Sequence, residues 1–232
     1  MRPFRIGPVA GPLLMAVVAA CAHSPAPPPS ASTAKSPSAH GVVIDPSHIK
    51  RVVRDLPPGY EVATGIPGAA SPRVIWGLAA DVTATPPQCA VLADPGNGRD
   101  QSAQGVSASG TGGIVDAVVV ALPGPVELDH NLIAACARWS MTTGHTGHTE
   151  ASVRLTDAPH VDDAETVGMV AEIKSSVESG TEIDSRVYTY TAYLGNYYAF
   201  TTLTTDPGSA LPALPPQYAA DLLVNTVSTL RG

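Results

Sequence analysis

The pattern of apolar and polar positions predicts three helices. Asp45 and Pro46 are typical of an N-cap and a first helical residue, and the apolar residues that follow recur at helical spacing as far as Leu56. A second helix is predicted where the same period places Leu128, Leu132, Ile133, Cys136 and Trp139 on one side. The third runs from about Pro216 to Leu230, with a stripe of Tyr218, Leu222, Leu223, Thr226, Val227 and Leu230.

Strands are predicted between these helices. They lie at 60–64, 74–82, 151–155 and 167–173, and the last of them places Val167, Met169, Ala171 and Ile173 on one side. The run 114–122 is apolar at nearly every position, which predicts a central strand that is covered on both faces.

A two-residue turn gives the clearest local signal in the chain. Gly195 and Asn196 separate the strand-like runs 186–194 and 197–204, as in a tight β-hairpin. This register sets Leu194 opposite Tyr197 and Tyr193 opposite Tyr198. Since helices and strands do not alternate regularly, we expect a single α+β domain over 42–232, an antiparallel β-sheet with helices packed mainly on one face.

The residues before this domain predict a lipid anchor. Arg2 and Arg5 precede an apolar stretch, which ends in Val18-Ala19-Ala20-Cys21, the pattern of a bacterial lipobox. Residues 1–20 are therefore interpreted as a lipoprotein signal peptide, and Cys21 as the lipidation site, which would carry diacylglycerol and palmitate on the extracytoplasmic face of the cell membrane. The alternative is an ordinary secretory signal with an incidental cysteine. Residues 22–40 are almost entirely Pro, Ser and Ala, so the segment 21–41 is expected to be an acylated, disordered tether.

Charge limits the choice of partners. Only 14% of the 232 residues are charged, and the formal net charge is −7. Removal of residues 1–20 takes away Arg2 and Arg5 and leaves 11 basic and 20 acidic residues, a net charge of −9. Such an acidic domain lacks the basic face of a nucleic-acid binder, so no nucleic-acid partner is expected.

Two cysteines remain once Cys21 is set aside. Because the signal peptide directs the chain to an oxidising compartment, Cys89 and Cys136 are expected to form a structural disulfide. The alternative is a catalytic thiol, but Cys136 lies on the apolar side of its predicted helix, where a thiol is unreactive. No histidine lies near Cys89 in the sequence.

The order of these features resembles a known group of proteins. A lipobox, a Ser/Pro spacer, a Pro86-Pro87-Gln88-Cys89 segment and a later Ala135-Cys136-Ala137-Arg138-Trp139 segment are similar to uncharacterised mycobacterial lipoproteins. These in turn resemble the extracellular sensor domain of PknH-type kinases. The resemblance implies an antiparallel sheet with flanking helices, a cysteine pairing like Cys89 with Cys136, and a groove for a small ligand without catalysis. The second disulfide of the sensor domains has no counterpart here.

Other chemistry finds little support in the sequence. His145, His148 and Glu150 are crowded like metal ligands, but the Gly and Thr between the histidines favour a solvated loop. The stretch 105–110 resembles a nucleophile elbow but has Ser109 where that motif needs glycine. No catalytic residue, metal or other cofactor is therefore predicted.

The aromatic residues are concentrated on the predicted hairpin. Strand alternation places Tyr193, Tyr198 and Phe200 on one face, and the hairpin's other three tyrosines, Tyr188, Tyr190 and Tyr197, on the opposite face. Because one face must pack against helices, the face of Tyr193, Tyr198 and Phe200 is a candidate binding surface. The alternative is that these rings only stabilise the sheet by cross-strand packing.

Two functional hypotheses follow. The first is a non-enzymatic envelope lipoprotein whose domain binds a small molecule, a lipid or a protein partner, as a sensor domain does. The second is a surface-anchored hydrolase with a site that the sequence does not reveal. The lack of a recognisable nucleophile paired with a base favours binding.

Lipidation is testable by fractionation. In a bacterial host that processes lipoproteins, Cys21→Ala is expected to move the protein from the membrane fraction to the soluble fraction, because the substitution removes the acylated thiol. Immunoblots of the two fractions measure the shift. Equal membrane retention of both proteins would contradict a lipid anchor on Cys21.

Overall fold

The computed structural model describes residues 43–66, 71–78, 80–143, 148–176 and 181–232, without the side chain of His148. These residues belong to one compact unit, 41–232. Cys21 and the predicted tether lie outside the described residues. None of the described helices is long and apolar enough to cross a membrane.

An antiparallel sheet forms the centre of the domain. Its strands are β1 (Glu61–Thr64), β2 (Thr83–Thr85), β3 (Ser102–Gly110), β4 (Gly113–Ala121), β5 (Arg138–Thr142), β6 (His148–Thr156), β7 (Glu165–Ser176), β8 (Glu182–Tyr193) and β9 (Tyr197–Thr205). They are arranged in the order β1-β3-β4-β9-β8-β7-β6-β5-β2. The predicted α+β fold with an antiparallel sheet is confirmed.

The predicted hairpin has the predicted register. Tyr193 lies opposite Tyr198, and the Leu194 amide donates to the Tyr197 carbonyl at 2.8 Å. Gly195 adopts a φ of 70°, a conformation that costs glycine little and other residues more. The turn chemistry therefore fixes which residues share a face of β8 and β9.

The two long helical segments pack on one face of the sheet. A 3-10 helix over Pro46–Asp55 begins at the predicted N-cap, where the Asp45 side chain accepts from the Ser47 amide, and α4 spans Pro216–Arg231. The 3-10 helix contacts β3 and β4, and α4 contacts β4, β8 and β9. The four short segments are α1 (Pro72–Ile75), a 3-10 turn (Pro87–Cys89), α2 (Ala90–Ala93) and α3 (His130–Ala135). The prediction that helices pack mainly on one face thus holds for the long segments.

Two predicted elements are wrong. The second helix ends at Ala135, and Trp139 belongs to β5, where Trp139 and Met141 are buried on one side of the strand. The predicted strand 74–82 instead begins within α1, since Pro72 occupies a first-turn position that suits a helix. In both places a few apolar residues fit the spacing of a helix as well as that of a strand, and tertiary packing determines which element forms.

The short segments cover the second face of the sheet and are tied together there. Cys89 and Cys136 form a disulfide, with 5.6 Å between their Cα atoms. Arg73 donates to the buried Asp94 carboxylate at 2.9 Å, and the Trp76 indole donates to Thr189 of β8 at 3.1 Å. One covalent bond and two polar contacts therefore fasten short helices that would be unstable alone.

Loss of the disulfide is expected to loosen this cover. The bridge spans 47 residues of sequence, for which the chain-entropy model gives about 4 kcal/mol. Cys136→Ser should therefore lower the melting temperature by about 10 °C in differential scanning calorimetry. Cys89→Ser and the double variant should melt at about the same temperature as Cys136→Ser, because each removes the same bond. Two alkylatable thiols in the native protein would contradict the bridge.

Candidate functional site

The face of Tyr193, Tyr198 and Phe200 is not open to solvent. The three residues share a face, as predicted, but they are exposed by only 6%, 0% and 0%. They belong to one apolar cluster with Trp76 and Leu92 of the short segments. The expectation of a solvent-facing binding surface on this hairpin is therefore wrong, because the short segments cover it.

The packing around Tyr198 has the character of a core. Its ring stacks on Phe200 with centroids 6.2 Å apart, and its hydroxyl donates to Gln101 Oε1 at 3.0 Å. Burial, with the nearby Asp94 carboxylate, raises the pKa of the Tyr198 phenol well above its usual range. Tyr198 and Phe200 therefore stabilise the sheet, whereas Tyr193 also lines a cavity.

An open groove lies on the opposite face, beside the long helices. It is a cavity of about 500 Å³ over β5, β6 and β7, and we call it the arginine groove; its lining includes Thr85, Arg138, Ser140, Ser152, Arg154, Val170 and Glu172. These residues point away from the cluster around Trp139 and Met141 because successive side chains of a strand alternate. The long helices pack principally on β3, β4, β8 and β9, which leaves this part of the sheet accessible.

Two arginines lie side by side in the groove, on neighbouring strands. Arg138 of β5 lies directly opposite Arg154 of β6, and both are exposed. Neither makes an ion pair or a hydrogen bond with any of the described residues. Like charges in directly opposed positions destabilise a sheet, so their juxtaposition is costly unless an anion lies between them.

A row of polar side chains crosses the groove next to the arginines. Thr85, Ser140, Ser152 and Glu172 occupy successive opposed positions on β2, β5, β6 and β7. Glu172 accepts from Arg186 of β8 at 3.0 Å. The groove thus offers hydroxyl groups beside two guanidinium groups, and the carboxylate of its described lining, Glu172, is already paired with Arg186.

One buried carboxyl lies within the sheet and away from the groove. Asp116 of β4 is 4% exposed and accepts from the Thr202 hydroxyl at 2.7 Å. Burial raises the pKa of the Asp116 carboxyl, although hydrogen bonds from Ser107 and Thr202 oppose the shift. The strand predicted at 114–122 is buried on both faces, as expected. Within it, the Asp116 carboxyl accepts hydrogen bonds from hydroxyl groups.

The predicted polar loop is only partly described. His145 lies outside the described residues, and His148 begins β6 with its side chain undescribed. Among the residues that are described, no three His, Cys, Asp or Glu side chains come together as metal ligands would. The stretch 105–110 forms most of β3, a polar strand.

Comparisons with known proteins agree with this fold. Residues 45–231 match the family model described as Domain of unknown function (DUF5642). A solved structure of a putative uncharacterized protein from Mycobacterium smegmatis, an ortholog of Rv0999, is 21% identical with a TM-score of 0.61, and the match covers 82% of this chain and 98% of that one. This likeness shows a shared fold.

A second solved structure is more distant. The extracellular domain of PknH from Mycobacterium tuberculosis is 14% identical with a TM-score of 0.40, and the match covers 82% of this chain and 92% of that one. No curated protein matches the chain. The resemblance to uncharacterised mycobacterial proteins, predicted from the sequence, is confirmed at the level of the fold by the Mycobacterium smegmatis structure.

Truncation of Tyr198 tests whether this hairpin face is core. Tyr198→Ala is expected to destabilise the protein by about 3–5 kcal/mol, as large-to-small changes of buried aromatics do. Tyr197→Ala, at a partly exposed position, should cost clearly less. Urea denaturation measures both. Equal stability of Tyr198→Ala and the wild type would contradict burial of this face.

Proposed function

The chain belongs to the DUF5642 family of domains of unknown function, and we propose that it is a non-enzymatic, sensor-like envelope protein that binds an anionic ligand in the arginine groove. The domain would be held on the extracytoplasmic face of the membrane by lipid on Cys21. The ligand would carry a carboxylate or phosphate group.

The unpaired arginines carry this proposal. Arg138 and Arg154 lie in directly opposed positions of a chain that is otherwise acidic. Guanidinium groups bind planar carboxylate and phosphate groups through paired hydrogen bonds. An anion placed between them would remove the repulsion and satisfy donors that the described residues leave unbound.

The rest of the groove supports binding of a small molecule. A volume of about 500 Å³ falls within the range of ordinary ligand sites. Thr85, Ser140 and Ser152 place hydroxyl groups in a line, which suits the polar atoms of a ligand that extends from the arginines towards β2.

The same residues favour binding over hydrolysis. A hydrolytic site needs a nucleophile within hydrogen-bonding reach of a base. Glu172 is the carboxylate of the described lining, and among the described residues it is hydrogen-bonded to Arg186 and not to a hydroxyl group of the groove. The groove is therefore better suited to hold an anion than to transfer a proton.

The predicted anchor and the disulfide support the location. A structural disulfide is typical of proteins that fold outside the cytoplasm. A tether of about 20 Pro- and Ser-rich residues would hold the domain away from the lipid surface, with the groove accessible to solutes.

Anion binding is testable with inorganic phosphate and citrate. Isothermal titration calorimetry at low ionic strength should detect binding of at least one of these anions, and added NaCl should weaken it. Arg138→Gln and Arg154→Gln should each weaken binding by about tenfold, since each removes charge-assisted hydrogen bonds. Arg138→Lys should give an intermediate affinity, because it keeps the charge but loses the paired donors.

A matched control is available on the 3-10 helix. Arg51→Gln removes the same charge at an exposed position outside the groove and should leave the affinity unchanged. If neither anion binds, or if Arg51→Gln weakens binding as much as the groove variants do, the arginine groove is not the site.

A further inference from the structure

A second cavity lies under the short helices, on the other face of the sheet. It has a volume of about 200 Å³, and its lining includes Val91 and Leu92 of α2, Val126 and Leu128 of the segment before α3, Leu132 of α3, and Tyr193. Five of these six side chains are aliphatic. The lining is completed by Pro95, Arg99, Pro125, Glu127 and Asp129. The cavity is therefore smaller than the arginine groove and combines aliphatic side chains with two exposed carboxylates.

Tyr193 brings a hydroxyl group to this cavity. The residue ends β8 and is 6% exposed, and its hydroxyl has no hydrogen-bond partner among the described residues. Its neighbour Tyr198, by contrast, donates to Gln101. The Tyr193 hydroxyl is accessible from the cavity, where it can donate to a ligand atom in place of water.

The walls of the cavity are fixed in place. Cys89 immediately precedes α2 and Cys136 immediately follows α3, so their disulfide ties two walls together. Arg99 donates to the carbonyl groups of Pro95 and Pro125 at 2.9 Å each, which joins the two loops that complete the lining. A preformed site of this kind loses little conformational entropy when a ligand binds.

The size of the cavity limits the ligand to one ring. A dry aliphatic cavity of about 150 Å³, engineered in another protein, takes up benzene. A cavity of about 200 Å³ thus accommodates one ring with a short substituent. Burial raises the pKa of the Tyr193 phenol, which stays a neutral donor. The exposed carboxylates of Glu127 and Asp129 in the lining disfavour an anion, so the suitable acceptor is an uncharged oxygen.

From this cavity we infer a second binding site, for a small uncharged molecule with one apolar ring and one oxygen that hydrogen-bonds to Tyr193. The disulfide and Arg99 hold the site open. The site is independent of the arginine groove in position and in chemistry.

Phenol and toluene are suitable probes, because they differ only in the group that would meet Tyr193. Both should shift the amide resonances of α2, α3 and residues 126–128 in titrations of the full chain. Tyr193→Phe should weaken phenol binding by about tenfold, the loss of one well-placed hydrogen bond, and leave toluene binding unchanged. Tyr197→Phe, on the opposite face of the hairpin, should alter neither affinity.

Filling the cavity gives a second test. Leu132→Trp should abolish binding of both probes. Leu132→Phe, the milder change, should weaken the binding of both, and it replaces Leu132→Trp if that variant does not fold. Near-UV circular dichroism checks that each variant is folded. Equal phenol affinity of Tyr193→Phe and wild type would overturn the inference, and so would failure of both probes to bind, which would mean that the cavity holds only water. Arg138→Gln should not affect either probe, which separates this site from the groove.

Discussion

Burial of the β8–β9 hairpin on both of its faces is the constraint around which the other elements are arranged. On one face Tyr190, Ala192 and Leu203 pack with α4 and the 3-10 helix. On the other face Tyr193, Tyr198 and Phe200 pack with the short segments. Each large side chain buried in this way contributes roughly 1.5–3 kcal/mol, so the covers on both faces contribute to the stability of the domain.

The long helices and the short segments are held against the sheet in different ways. The long helices bury continuous apolar stripes, and two hydrogen bonds fix their position: the Thr201 hydroxyl donates to the Ala219 carbonyl, and the Tyr218 hydroxyl donates to the Asp55 carbonyl. The short segments have too few apolar residues for this and depend on the Cys89–Cys136 bond and on the Arg73–Asp94 ion pair. The two faces of the sheet therefore differ in what they leave accessible. The long helices leave β5, β6 and β7 accessible on their side, and the short segments enclose a small cavity on theirs.

The sequence predicts most accurately where the chemistry is local. The hairpin register follows from Gly195 and Asn196, α4 from its long apolar stripe, and the disulfide from the number of cysteines left after Cys21. Trp139 was misplaced because five apolar residues over twelve positions fit a helix nearly as well as a short helix followed by a strand. The hairpin face of Tyr198 was misjudged because its cover comes from segments of three to six residues, too short to show a clear period.

The arginine groove could not be found from the sequence. Arg138 and Arg154 are 16 positions apart, and only the β5–β6 register brings them together. Their signal would have been two arginines at outward positions of neighbouring strands, but the sequence interpretation placed Arg138 on a helix. The cavity at Tyr193 was equally hidden, because its walls come from four separate stretches of chain.

Mapping of backbone amide shifts during a phosphate titration tests the central claim most directly, since it locates a bound anion without any substitution. The arginine groove requires saturable shifts at 138–140, 152–154 and 170–172, with α2, α3 and the β8–β9 turn unaffected. Shifts confined to residues outside β5, β6 and β7, or linear shifts spread over all exposed basic residues, would contradict a ligand site on this face of the sheet.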